Sequence, residues 1–91
     1  MNLTAALLAT ALKARSQAEW ARAMNVDPST LAQAKRRQHA SPELAGYLAD
    51  SLGLNSDKWI AIAGLEQSKD SPIKARLLAR LRTEVLAALK S

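Results

Sequence analysis

Residues 16–37 read SQAEWARAMNVDPSTLAQAKRR, two short helical patterns separated by a tight corner. Ser16 precedes an apolar-periodic run and has Glu19 three positions on. The serine hydroxyl can accept from the Glu19 amide while the Glu19 carboxylate reaches back, a reciprocal cap that starts a helix. Trp20, Ala21 and Met24 then make one apolar face. Ala21 stands where two helices would cross, and its small side chain permits close approach. Asn25 falls in the corner, where a left-handed backbone is needed and asparagine tolerates it better than most residues. Val26 is expected to plug the space between the helices. Asp27-Pro28 is a second start signal, an N-cap carboxylate followed by proline at the first helical position. Leu31 and Ala34 point inward, which leaves Ser29, Thr30, Ala32, Gln33 and Arg36 facing out.

Two helices arranged in this way are the sequence form of a helix-turn-helix, whose second helix enters the major groove of double-stranded DNA. The plainer alternative is an ordinary αα-hairpin in a small helical domain. The outward polar set together with the Lys35-Arg36-Arg37 run favours the groove-reading helix. Cations at that position also complement the negative end of their own helix. They are expected to contact phosphate.

Residues 16–34 resemble the helix-turn-helix of the Cro and lambda-repressor-like family of phage regulators. The likeness rests on Gln17 opening the first helix, Ala21 four residues later, Asn25 in the usual glycine slot, and apolar Val26, Leu31 and Ala34 beyond it. The run through SPELAGYLADSLGL and on to about Leu81 is similar to small phage or prophage regulators carrying that domain. The resemblance implies that Gln17 braces the phosphate backbone and that the exposed start and middle of the second helix read bases. On matching positions those readers are Ser29, Thr30, Ala32 and Gln33. This chain departs from the family pattern at Asn25, and at Pro28, which fills a place where a base-contacting polar residue is common.

The chain has 91 residues and no cysteine. That length is one domain, near the lower end of what a single core supports without staples. The absence of cysteine excludes a disulfide framework and a thiolate metal site, and accords with a reducing compartment such as the cytoplasm of a bacterial host. Leucine and alanine dominate and nothing suggests strands, so the fold is expected to be all-helical. No apolar run approaches the roughly 18 residues of a membrane span. The LTAALLATAL segment has Lys13 and Arg15 on the wrong side for a secretory leader, so a packed first helix is expected.

The formal net charge is +5, and it is unevenly spread. Residues 12–40 carry Lys13, Arg15, Arg22, Lys35, Arg36 and Arg37 against Glu19 and Asp27. Residues 41–70 carry Glu43, Asp50, Asp57, Glu66 and Asp70 against Lys58 and Lys69, and residues 71–91 are again basic. A cationic face at the helix-turn-helix with an acidic far side would orient the protein as it approaches a polyanion. Elsewhere, cations that solvate helix faces are the simpler reading.

The remaining segments follow from the same start and stop signals. A first helix is expected over about residues 4–14, with Leu3, Leu7, Leu8 and Leu12 as its apolar stripe. Ser41-Pro42 opens a fourth helix that Gly53 ends, with Leu44, Tyr47, Leu48 and Leu52 facing the core. Ser56 or Asn55 caps a fifth, holding Trp59, Ile62 and Ala63. Ser71-Pro72 opens a longer last helix to about residue 89. Ile73, Leu77, Leu81, Val85 and Leu89 recur there every four residues. That stripe is either folded back to close the core or a dimer seam, and the two-fold symmetry of operators for this motif favours the seam.

Nothing in the sequence supports an enzyme, a cofactor or a metal site. His39 is the only histidine; it is expected to be exposed in a basic interhelix loop, with a minor phosphate contact as the alternative. Ser16, Ser29, Ser41 and Ser71 occupy cap-like places, which explains them without nucleophilic chemistry. Trp20, Trp59 and Tyr47 read as core rather than as base-stacking platforms. The expected architecture is therefore all-α: a compact five-helix lambda-repressor-like domain over residues 1–70, with an additional amphipathic helix over 71–91. The expected role is a dimeric transcriptional regulator of the Cro-like repressor kind, with double-stranded DNA as partner and no membrane. The alternatives are a protein-interaction module, an antitoxin or adaptor engaging a partner through the last helix, and a non-specific DNA binder.

Overall fold

The computed structural model describes residues 2–89, which form six helices: α1 (Leu3–Ala14), α2 (Gln17–Met24), α3 (Pro28–Arg37), α4 (Pro42–Ser51), α5 (Ser56–Gln67) and α6 (Pro72–Leu89). Residues 90 and 91 of the segment assigned to the last helix lie outside the described residues. No strand occurs among the described residues, so the protein is all-helical.

Short polar side chains set the starts. The Ser16–Glu19 box is reciprocal, with both amide-to-side-chain bonds at 3.1 Å. Asp27 accepts from the Ser29 amide at 2.8 Å, Ser41 from Leu44 at 3.3 Å, Asn55 from Lys58 at 3.1 Å and Ser71 from Lys74 at 3.1 Å. Each satisfies a donor that a helix start leaves orphaned. The stops of α2, α3 and α4 share one geometry. Asn25, Gln38 and Gly53 have φ of 56°, 54° and 76°. The amide after each reaches back to Ala21, Ala34 and Ala49 at 2.8–3.1 Å, the double-bonded Schellman end. The left-handed conformation expected of Asn25 is therefore present.

Packing begins with α4 against α5. A Cβ added to Gly46 would stand 2.8 Å from Ile60 Cγ1, so the two helices approach as closely as a glycine allows. α1 lies across this pair, α2–α3 packs beside α1, and α6 folds onto α5 and α1. The shared core comprises Leu7, Leu8 and Ala11 of α1, Trp20 and Ala21 of α2, Leu31 and Ala34 of α3, Leu44, Leu48 and neighbouring alanines of α4, and Trp59, Ile62 and Ala63 of α5. Burial of each leucine-sized side chain contributes about 1.5–3 kcal/mol. The radius of gyration is 12.6 Å, against about 12 Å for a compact chain of this length.

Two core assignments are corrected. Val26 is 40% exposed and Tyr47 39% exposed. The space between α2 and α3 is filled by Ala21, Leu31 and the indole of Trp20, all nearly inaccessible. That leaves Val26 on the rim of a groove. The Tyr47 ring lies edge-on to Trp20, at 6.3 Å between centroids and 84° between planes.

The apolar stripe of α6 is divided. Val85 is buried, and Leu81 and Leu89 pack against the core, as does Leu78. Much of the stripe read as a seam is thus used within the chain. Ile73 and Leu77 remain exposed. Lys58 of α5 pairs with Glu84 of α6 at 3.0 Å. Lys74 donates to the carbonyls of Glu66 and Ser68 at 3.3 and 2.7 Å, satisfying acceptors at the end of α5. No helix among the described residues is long and apolar enough to cross a membrane.

Candidate nucleic-acid interface

Two capped helices and a three-residue corner present the basic sequence of α3. Gln17 Nε2 donates to the Pro28 carbonyl at 3.2 Å, joining the start of α2 to the start of α3. Trp20 is buried, and its Nε1 donates to the Ala11 carbonyl at 2.7 Å. That bond anchors α2 to the end of α1. The Arg15 guanidinium covers the indole at 4.9 Å, a cation–π contact. These bonds fix the orientation of α3 through its neighbours.

Along α3, Ser29, Thr30, Gln33, Lys35, Arg36 and Arg37 are exposed, whereas Ala32 is half-buried. Ser29, Gln33 and Arg36 fall at helical spacings that share one outward face. Gln33, Lys35, Arg36 and Arg37 make no side-chain hydrogen bond or ion pair among the described residues. Ser29 is committed in part to its own helix. Its amide, and then its hydroxyl, hold the Asp27 carboxyl below the ordinary aspartate value. The Ser16 amide and hydroxyl likewise hold Glu19 down, with Arg15 and Arg22 adding to the effect.

The C-terminal end of α3 is held by residues whose connection sequence reasoning missed. His39 is not a free loop side chain. Its Nδ1 lies 2.9 Å from Glu66 Oε1, and its side chain is 17% exposed against 3% for Glu66. Thr4, fully buried in α1, donates from Oγ1 to the same carboxylate oxygen at 2.5 Å. The Thr4 amide donates to Glu66 Oε2 at 3.2 Å, and Thr4 Oγ1 accepts from the Ala40 amide at 3.0 Å. Asn2 Nδ2 donates to the Gln38 carbonyl at 3.0 Å. The corner between α3 and α4 is thus tied at three successive residues to α1 and α5. The only available signal was the placement of one polar residue, Thr4, on the apolar stripe of α1.

Two depressions meet α3 at Thr30. One, of about 280 Å³, is lined by Met24, Val26, Thr30, Leu44 and Tyr47 among others. The other, of about 150 Å³, is bounded by Thr30, Gln33, Arg37, His39, Ser41 and Gln67. No group of three or more potential metal ligands occurs among the described residues. No protein-family model, curated protein or solved structure matches the chain.

Proposed function

We propose that this chain is a sequence-specific double-stranded DNA-binding transcriptional regulator of the Cro and lambda-repressor-like kind, with α3 seated in the major groove. The observation that carries the reading is the row Gln33, Lys35, Arg36 and Arg37. They are exposed and uncommitted side chains on a short helix capped at both ends. A helix that presents an amide and two unpaired cations, Gln33, Arg36 and Arg37, on one face suits a polyanion with readable base edges, and Lys35 adds a cation on the flank toward α1. In this reading Lys35, Arg36 and Arg37 neutralise phosphates and release counterions. Gln33 offers a donor and an acceptor together, the pair that matches N7 and N6 of adenine. Ser29 and Thr30 flank it. Gln17 contributes to the backbone contact through the second hydrogen of the amide that already bonds Pro28.

Binding as a dimer to a pseudo-palindromic site belongs to the same proposal. Ile73 and Leu77, exposed on α6, are the part of the apolar stripe available to a second copy. The same pair supports the second reading, an antitoxin or adaptor that engages another protein through α6. The deciding experiment is a titration of DNA flanking the protein's own gene, with excess random competitor, at several salt concentrations. A competitor-resistant complex saturating at two chains per site supports the regulator. A complex removed by random DNA reduces the reading to non-specific binding, and no complex at low salt overturns it.

A further inference from the structure

We infer that the cleft between α1 and α3 binds a small monoanion with a compact apolar body, of the aromatic or branched carboxylate class. The cleft has a volume of about 210 Å³ and is lined by Ala5, Leu8, Ala9, Leu12, Lys35 and Gln38. The four residues of α1 fall at spacings of three and four, so they form one apolar wall. Leu8 is buried, Ala5 and Leu12 are half-buried, and Ala9 is exposed. The opposite wall comes from α3 and its C-cap, and there the chemistry changes. Lys35 and Gln38 are the only polar residues of the lining among the described residues. Neither side chain makes a hydrogen bond or ion pair among those residues.

Size and charge together select the ligand. An apolar cavity of about 150 Å³ holds benzene, so this cleft suits one ring or a short branched chain with a small head group. No acidic residue lines it among the described residues, and its one charge is the Lys35 ammonium. A single ammonium matches a single negative charge, whereas a phosphate monoester carries about −1.5 to −2. The Gln38 amide can donate beside the lysine. A helix end commonly presents bare carbonyls, which repel an anion. Here the Ala34 and Lys35 carbonyls accept the His39 and Gln38 amides, and the Gln38 carbonyl accepts Asn2 Nδ2. Acetate would meet the lysine but leave the α1 wall wet. An ammonium of the same shape as the ligand would meet a like charge. The site stands or falls independently of the DNA-binding reading.

The test is a titration of the whole chain with sodium benzoate at fixed ionic strength, followed by its amide and methyl resonances. Shifts centred on Ala5, Ala9, Leu12 and Lys35 should saturate, with a midpoint below about 10 mM, within reach of a ligand of this size. Acetate and benzylammonium should bind about tenfold more weakly or worse. Lys35→Met, which keeps the stem and removes the charge, should weaken benzoate by about tenfold. Ala9→Leu should abolish binding by filling the cleft while leaving the lysine in place. Both positions are exposed, so neither change threatens the fold. Failure to saturate would overturn the inference. So would an equal response to acetate, which would reduce the effect to ion screening at the lysine. Benzoate shifts that persist unchanged in either variant would place the ligand elsewhere and also overturn it.

Discussion

The Glu66 carboxylate sits on the first turn of α1, where Oε2 accepts the Thr4 amide at 3.2 Å and Oε1 the Thr4 hydroxyl at 2.5 Å. The N-cap residue Asn2 makes no side-chain bond to its own helix. Glu66 therefore supplies from α5 the cap that α1 lacks, and the negative charge complements the positive end of the helix. Glu66→Ala strands Thr4 and His39 donors in a buried site. We predict a loss of about 3 kcal/mol, read as a lowered urea midpoint at unchanged slope. A change under about 0.5 kcal/mol would mean that water replaces the carboxylate at little cost.

Gln38 holds φ at 54° without being glycine. A non-glycine residue in this conformation carries about 1 kcal/mol of strain. Gln38→Gly should raise stability by up to that amount, because the backbone bonds of the corner do not use the glutamine side chain. Asn25→Gly should gain less, since asparagine tolerates the conformation better. Thermal unfolding of the two variants tests the order, and a destabilised Gln38→Gly would refute it.

At Gly46 the close approach of Ile60 decides the outcome of adding a methyl group. Helix propensity favours alanine over glycine by about 1 kcal/mol. The new Cβ would meet Ile60 Cγ1 at 2.8 Å and Cδ1 at 2.9 Å. We predict that Gly46→Ala destabilises by about 1 kcal/mol in the parent chain and stabilises in an Ile60→Ala background. A double-mutant cycle measures the reversal, and additive effects would show that Ile60 swings aside freely.

Acid should act first on the helix starts of the α2–α3 unit. Folding holds the Glu19 and Asp27 carboxyls below their ordinary values, through Ser16 and Ser29. The unfolded chain therefore takes up protons before the folded one as pH falls. The stabilisation is complete above the ordinary carboxylate range near pH 4 and is lost as pH drops through the lower folded values. Stability against pH should fall in that interval, with a shallower limb in Glu19→Gln. An unchanged limb would place the acid response elsewhere, with Asp27 the next residue to replace.

For the proposed interface, Gln33→Ala should weaken operator binding by about 1–3 kcal/mol while sparing random DNA. Arg36→Ala should weaken both and flatten the salt dependence. Paired titrations at two salt concentrations separate these outcomes. If Gln33→Ala weakened both targets equally, the glutamine would not be a base reader.

Much of this molecule could be read one helix at a time. Ser16 with Glu19, Asp27 with Pro28 and Ser41 with Pro42 are local signals, and each begins the helix it was expected to begin. Between Asn55 and Ser56 the cap was open, and Asn55 takes it. What stayed hidden depends on pairs far apart in the chain. Thr4 and Glu66 are 62 positions apart, and His39 and Glu66 are 27 apart. Helical periodicity reports which face is apolar, not which distant face it meets. Hence His39 read as exposed, and Gly46 gave no sign of the contact it permits. Tyr47 and Val26 were misplaced for a related reason. Both lie on inward patterns, but the core beneath them was already filled by Trp20 and Leu31. Of the outward residues of α3, Ser29, Thr30, Gln33 and Arg36 were legible because their exposure follows from spacing, whereas Ala32, also expected to face out, is half-buried.

Trp20 and Trp59 are both almost wholly buried, yet in different surroundings. Trp20 bonds a carbonyl of α1, lies beneath Arg15 and meets the edge of Tyr47. Trp59 sits in α5, which packs against α4, α6 and α1. Replacing one indole at a time with phenylalanine therefore leaves an intrinsic fluorophore dedicated to each half of the molecule. Emission from Trp20 would follow the docking of α2 and α3, and emission from Trp59 the body that supports them. Whether the two halves loosen together or in turn can be read optically, without attaching a dye.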